Sequence, residues 1–254
     1  MSVLFELERM ERLVQDIEKL RYPISIPITN YKMYEGKRKD GEKCSTEDWQ
    51  DYAIDTPWNI LDSHRWLRTT IVIPEEMDRK HVEMQLISGR EGQWDATNPQ
   101  MLFYINQQLI QGVDVNHREV TLSKEAKAGE TYEIAMLIYS GSVPGDLIFR
   151  SNLITIDDEV QKFYYDFSVP VQSARVLKKS DEENCRRILK KLDAAANAID
   201  LRKPYSKTFY DSLKAADKFL VKEFYSAVNQ EAPIVSAIGH THIDIAWLWT
   251  VEQT

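Results

Sequence analysis

"RWLRTTIVIPEEMDRKHVEMQLIS", residues 65–88, decides how the chain is read. In its second half Val82, Met84 and Leu86 alternate with His81, Glu83 and Gln85. That period of two puts the apolar set on one side of an extended strand and the polar set on the other. A strand with one buried and one wet face belongs in an antiparallel sheet. The acidic run "IPEEMD" (73–78) separates this strand from an apolar run that begins at Arg65, so two strands with a break between them are expected. The acids suggest a cation site, although a solvated strand end accounts for them as well.

Outward from this pair the same alternation recurs, broken by Gly, Pro, Asn and Asp. It appears in "MLFYIN" (101–106), "REVTL" (118–122), "TYEIAMLIYS" (131–140), "GDLIFRSNLITID" (145–157) and "VQKFYYDFSV" (160–169). Seven candidate strands at this spacing predict an all-β sandwich over residues 51–172. Towards the N-terminus, Leu4, Leu7, Met10, Val14, Ile17 and Leu20 recur every three or four positions, the stripe of an amphipathic helix. "RYPISIPITNY" and the polar stretch to Trp49 then read as a linker of low regularity, closing an N-terminal segment of residues 1–50.

Beyond Val171 the period becomes 3.6. "SDEENCRRILKKLDAAANAID" opens with Ser180 and Glu183 in capping-box spacing and places Cys185, Ile188, Leu189, Leu192, Ala196 and Ile199 on one face. Pro204 interrupts, and "SKTFYDSLKAADKFLVKEFYSAV" restarts the pattern with Tyr210, Leu213, Leu220 and Phe224. An antiparallel helix pair is expected over residues 173–232. "IVSAIG" (234–239), bounded by Pro233 and Gly239, reads as a strand buried on both faces that opens a further domain over 233–254. The fold class is therefore α+β.

With 254 residues, of which 43% are hydrophobic, two domains with sizeable cores are expected. A net charge of −8 leaves no basic stripe for phosphates or anionic headgroups, which argues against nucleic acid and membrane surfaces as partners. Cys44 and Cys185 lie far apart without CxxC spacing, and a cytoplasmic, reducing setting fits them. Residues 1–20 carry acids and bases every few positions, so no signal-peptide core is present there. No run approaches the roughly 18 apolar residues that a bilayer span requires.

The chain closes on "IGHTHIDIAWLWTVEQT" (238–254). His240, His242 and Asp244 stand at alternate positions and share one side of an extended chain. Imidazole nitrogen and carboxylate oxygen are donors that a borderline divalent ion such as zinc accepts. The bare triplet leaves a structural strand end equally open. His64, His81 and His117 are scattered, with no second ligand at metal spacing. Trp49, Trp58, Trp66, Trp94 and the pair Tyr164 and Tyr165 are candidates for sugar platforms if they face outward, and core or bracing residues if they do not.

Taken together, "GHTHIDIAWLW" (239–249) resembles the N-terminal signature of the family 38 glycoside hydrolases, the zinc-dependent retaining α-mannosidases, and in particular their bacterial and cytosolic branch. The order of sandwich, helices and strand is similar to the region before that family's catalytic barrel. So is "MLFYINQQLIQGVDVNHREVTL", although Gln107 stands where an Asn-Gly turn is usual. The resemblance implies an N-terminal portion of an α-mannosidase, with residues 233–254 opening an α/β barrel catalytic domain. It assigns His242 and Asp244 to the metal, Trp247 to an apolar platform under the sugar and His240 to a supporting position. It also implies one divalent ion, zinc, and an α-mannoside oligosaccharide as substrate. Retaining hydrolysis uses two carboxyl groups about 5–5.5 Å apart. In the family both come from later barrel strands, so no activity is expected of these 254 residues alone. Two alternatives stand beside this. One is a non-catalytic carbohydrate-binding or assembly module, and the apolar stripe of the first helix is consistent with a homo-oligomer. The other is an amidohydrolase-type metal hydrolase, whose HxH would engage both histidines but would leave Asp244 and "AWLW" unexplained.

Overall fold

A computed structural model describes residues 3–36, 49–58, 60–92, 99–141, 147–226 and 236–239. Two compact units form: Ile24–Thr155 belongs to one, and Met1–Pro23 with Ile156–Ile238 to the other.

The first unit is built from strands β1 (Ser25–Pro27), β2 (Tyr31–Glu35), β3 (Gln50–Tyr52), β4 (His64–Val72), β5 (His81–Ile87), β6 (Gln100–Ile105), β7 (Gln108–Val113), β8 (Glu119–Ser123), β9 (Thr131–Tyr139) and β10 (Arg150–Ile156). One sheet runs β1-β10-β5-β8 and the other β3-β2-β4-β9-β6-β7. The alternation expected for β5 is observed, with Val82, Met84 and Leu86 buried and the residues between them half-buried. Those side chains share a single apolar cluster with Leu67, Ile71, Phe103, Ile134 and Met136 from the six-stranded sheet. A core filled from both sheets is a sandwich, and each fully buried side chain of this size contributes about 1.5–3 kcal/mol.

Six of the seven expected strands form, the one in 145–157 only from Arg150 onward. The seventh does not. Residues 160–169 lie inside helix α2 (Asp158–Ser180). Val160, Phe163, Phe167, Val171 and Ala174 all face its core, a spacing of three and four that a ten-residue window mistakes for alternation. Asp157 starts the helix, its carboxylate accepting the Val160 N–H at 3.0 Å. The "linker" also needs correction. Its first part supplies β1, which pairs with β10, and β2, which pairs with both β3 and β4. The prolines are tolerated because β1 is a three-residue edge strand ending at Pro27.

The second unit contains α1 (Val3–Lys19), α2, α3 (Glu182–Ala198) and α4 (Lys207–Leu220), the last continuing into a π-helical turn over Val221–Tyr225. Leu7, Met10 and Ile17 of α1 join Phe163, Phe167, Leu189 and Leu213 in one core, so the stripe of the first helix is spent on these partners. The cap of α3 shifts by one residue from expectation. Because α2 runs through Ser180, Asp181 is the cap, and its carboxylate accepts the Asn184 N–H at 3.0 Å. That bond and the Asn184 side chain hold the Asp181 carboxyl below the usual range. On α4 the buried stripe is Phe209, Leu213, Ala216 and Leu220, with Tyr210 and Phe224 at its half-buried margin.

Pro170 sits inside α2 and has no N–H to offer the carbonyl of Asp166. The Tyr225 hydroxyl donates to that carbonyl at 2.8 Å. The π-turn thus supplies the donor that the proline removes.

Candidate functional site

His240, His242, Asp244 and Trp247 lie outside the described residues, as does Trp94. Of the expected strand "IVSAIG", Ser236–Gly239 are described, and they correct the expectation there: the chain is irregular and exposed, with Ile238 at 82% exposure. A strand buried on both faces needs a ladder on each side, and no described strand pairs with this stretch. Among the described residues no group of three or more His, Cys, Asp or Glu side chains could hold a metal ion.

The described histidines are local fixtures. His117 Nδ1 lies 3.1 Å from Asp114 Oδ1 in an exposed turn. His81 Nε2 lies 3.1 Å from Glu83 Oε1 on the outer side of β5. His64 packs its ring 4.8 Å from that of Tyr139. The acids of "IPEEMD" form a solvated 3-10 turn, with Glu75 and Glu76 exposed and Met77 buried beneath.

The aromatic candidates separate into three groups. Trp58 is a core residue, its indole N–H donating to Ser63 Oγ at 2.9 Å under the guanidinium of Arg65. Tyr164 and Tyr165 stand on α2 rather than on a strand. With Tyr22 they surround the buried Arg21 guanidinium at 4.7–5.1 Å, and Arg21 donates to Gln161 Oε1 at 2.9 Å. These rings brace the helical unit through cation–π contact.

Trp49 and Trp66 form the third group, on the outer face of the six-stranded sheet. Leu67, Thr69 and Ile71 of β4 point into the core, so Trp66 and Arg68 point out. Trp66 stands opposite Tyr34 of β2, and Arg68 opposite Ala135, itself opposite Tyr104 of β6. The Trp66 and Tyr104 rings lie 5.6 Å apart and those of Tyr34 and Trp49 6.1 Å apart, both pairs tilted. The Arg68 guanidinium lies 4.2 Å from the centre of the Trp49 ring. All five side chains are half-buried, and neighbouring Leu102 is 40% exposed. Tyr34 and Tyr104 were not singled out from sequence. The signal was present in "MLFYIN", where Leu102 and Tyr104 put bulky groups at the positions that alternation assigns to solvent.

No family model matches the chain. Alpha-mannosidase G of Dictyostelium discoideum is similar to it, 25% identical over an alignment of 284 residues that takes in 98% of this chain and 24% of that protein. The chain thus spans about a quarter of the length of the curated relative it matches. Among solved structures, the β-glucuronidase of Ruminococcus gnavus is 10% identical over 52% of this chain and 29% of that one, with a TM-score of 0.37. Its complex with a C6-substituted uronic isofagomine has the same identity and coverage and a TM-score of 0.36. Among the described residues no helix is long and apolar enough to cross a membrane.

Proposed function

We propose that this chain is the N-terminal part of a glycosidase, a metal-dependent α-mannosidase that hydrolyses α-mannosidic linkages with retention. The observation that carries the reading is the match to Alpha-mannosidase G along 98% of the chain. The string "GHTHIDIAWLW" (239–249) supports it independently of that protein's name, since it combines two imidazoles, a carboxylate and a tryptophan within eleven residues.

In this reading His242 and Asp244 hold one divalent ion, and the nitrogen and oxygen donors they offer fit zinc. The ion, when bound, polarises sugar hydroxyls as a Lewis acid. Trp247 offers an apolar surface to the C–H side of the ring, and His240 orients the ligand step without entering it. Two donors fall short of a complete coordination shell, so the other ligands and the pair of carboxyl groups that retaining hydrolysis requires belong to further sequence of the whole protein.

The test is made on the protein that contains this chain, assayed on an aryl α-mannoside with metal content measured alongside. Asp244→Ala is expected to lose bound metal and at least about a thousandfold in kcat/KM, since a metal's stabilisation of the transition state is worth several kcal/mol. Full activity with unchanged metal content in that variant would overturn the assignment.

A further inference from the structure

Among the described residues the two sheets of the sandwich end in the edge strands β1 and β8, and β3 and β7. An edge offers a row of unpaired backbone N–H and C=O groups to any strand that approaches, and short length, proline or charge ordinarily blunts it. Three of these edges are blunted in that way. β1 has three residues and ends at Pro27. β3 also has three, and its Asp51 forms an ion pair with Lys32 of β2 at 2.6 Å. β8 begins with Glu119 and is flanked by Arg118 and Lys124.

β7 is the exception. Its six residues include neither proline nor charge. The whole hairpin from Gln100 to Val113 lacks Asp, Glu, Lys and Arg, in a chain of which 28% is charged. Leu109 is 51% and Ile110 43% exposed, so the edge is not covered from within the chain. Among the described residues its backbone pairs with β6 alone, and the row on its far side stays open. The register shift opposite Phe103 and Tyr104 leaves Ile110 as an extra residue. Such a bulge bends an edge, but this one turns out an apolar side chain where a repelling charge would protect the strand.

The backbone row selects the kind of occupant. A helix has already paired its own N–H and C=O groups and would leave those of β7 unmet, whereas a strand meets them and covers Leu109 and Ile110 together. The side chains select which strand. When a strand pairs antiparallel with its own copy about a two-fold axis, each residue sees the same set of residues across the axis, and every charge meets its like. An uncharged strand meets that requirement. A strand from a charged partner would be recognised by opposite charges, and β7 carries none.

We infer that β7 is a self-pairing edge, through which two copies of this chain join antiparallel about a two-fold axis and continue the six-stranded sheet from one copy into the other. The inference stands on the sandwich alone and is independent of the α-mannosidase reading.

Analytical ultracentrifugation of the 254-residue chain tests it, with hydrogen exchange of the β7 amides read alongside. Between about 5 and about 500 µM the mass is expected to rise from that of one 29.6 kDa chain to that of two, and exchange over Gln108–Val113 to slow with it. Two chains of net charge −8 repel at long range, so raising NaCl from about 20 to about 300 mM should tighten the dimer. Leu109→Lys and Ile110→Lys, both at exposed positions, should each weaken it about tenfold or more with the far-UV circular dichroism unchanged. A chain that stays monomeric throughout overturns the proposal. So does a dimer whose β7 amides exchange as fast as the monomer's, since its interface then lies elsewhere. Growth beyond two copies also overturns it, because a β7 pair uses up the edge in both. In the longer protein that contains this chain, a monomer with protected β7 amides would assign the pairing strand to that protein's further sequence and would overturn it as well.

Discussion

At the scale of the residue, the hairpin between β6 and β7 shows where this sequence departs from an easy solution. Asn106 and Gln107 both adopt positive φ, 49° and 69°, the backbone of a type I′ turn. Asn106 suits the position, and its Oδ1 also accepts the Glu133 N–H at 2.9 Å. Gln107 gains nothing comparable, because its Cβ crowds the backbone at that φ and no hydrogen bond of its side chain forms among the described residues. Gln107→Gly is therefore expected to raise stability by about 0.5–1 kcal/mol, the left-handed penalty less the entropy that glycine adds to the unfolded chain. A urea midpoint that fails to rise would show that the turn is held by other means. The departure at Gln107 was legible in sequence, whereas its backbone angles were not. The same contrast applies to the aromatic face, where Trp49, Trp58 and Trp66 were indistinguishable as letters and only strand register separates the core ring from the outward pair.

At the scale of the element, local pattern and tertiary context compete. β4, β5 and β9 were legible because each keeps one apolar face against the same core, so that period two survives over seven or more residues. β7 was not, because its register with β6 shifts between Phe103 and Tyr104 and breaks the alternation. "VQKFYYDFSV" misled because Phe163, Tyr164, Tyr165 and Phe167 favour strands, and burial of one helical face outweighs that preference. The proline three residues on is accommodated by a bond that no propensity scale contains. If the Tyr225 hydroxyl serves the carbonyl that Pro170 orphans, then Tyr225→Phe should cost about 1 kcal/mol. In a Pro170→Ala background, residue 170 regains an N–H for Asp166 and the cost should shrink towards zero. Equal costs in the two backgrounds of this double-mutant cycle, read from chemical denaturation, would reject the coupling.

At the scale of the whole molecule, what sequence reading could not reach is how the two units share one chain. Sequence patterns ordered helix, strands and helices as successive segments, and the prolines around β1 hid the strand that shows otherwise. Ser25 of β1 pairs with Ile154 of β10, and the Ile24 carbonyl accepts the Thr155 N–H at 3.0 Å. One step further, the Arg21 carbonyl accepts the Asp157 N–H at 3.0 Å. The chain therefore enters and leaves the sandwich side by side, and the sandwich is an insertion between α1 and α2. Each unit has its own apolar core, the sandwich around Phe103 and Met136 and the helices around Phe163 and Phe167. Insertion of this kind is tolerated when the inserted unit brings its two ends together and can fold by itself. Residues 24–155 expressed alone should accordingly give a β-type far-UV spectrum and a single cooperative urea transition. The complementary chain, with 24–155 replaced by a short Gly-Ser linker, should keep a helical spectrum, since α1 then remains tethered to the core it completes. A 24–155 fragment that stays unfolded would mean that the sandwich draws its stability from the helical unit, and that two cores do not make two independent folding units here.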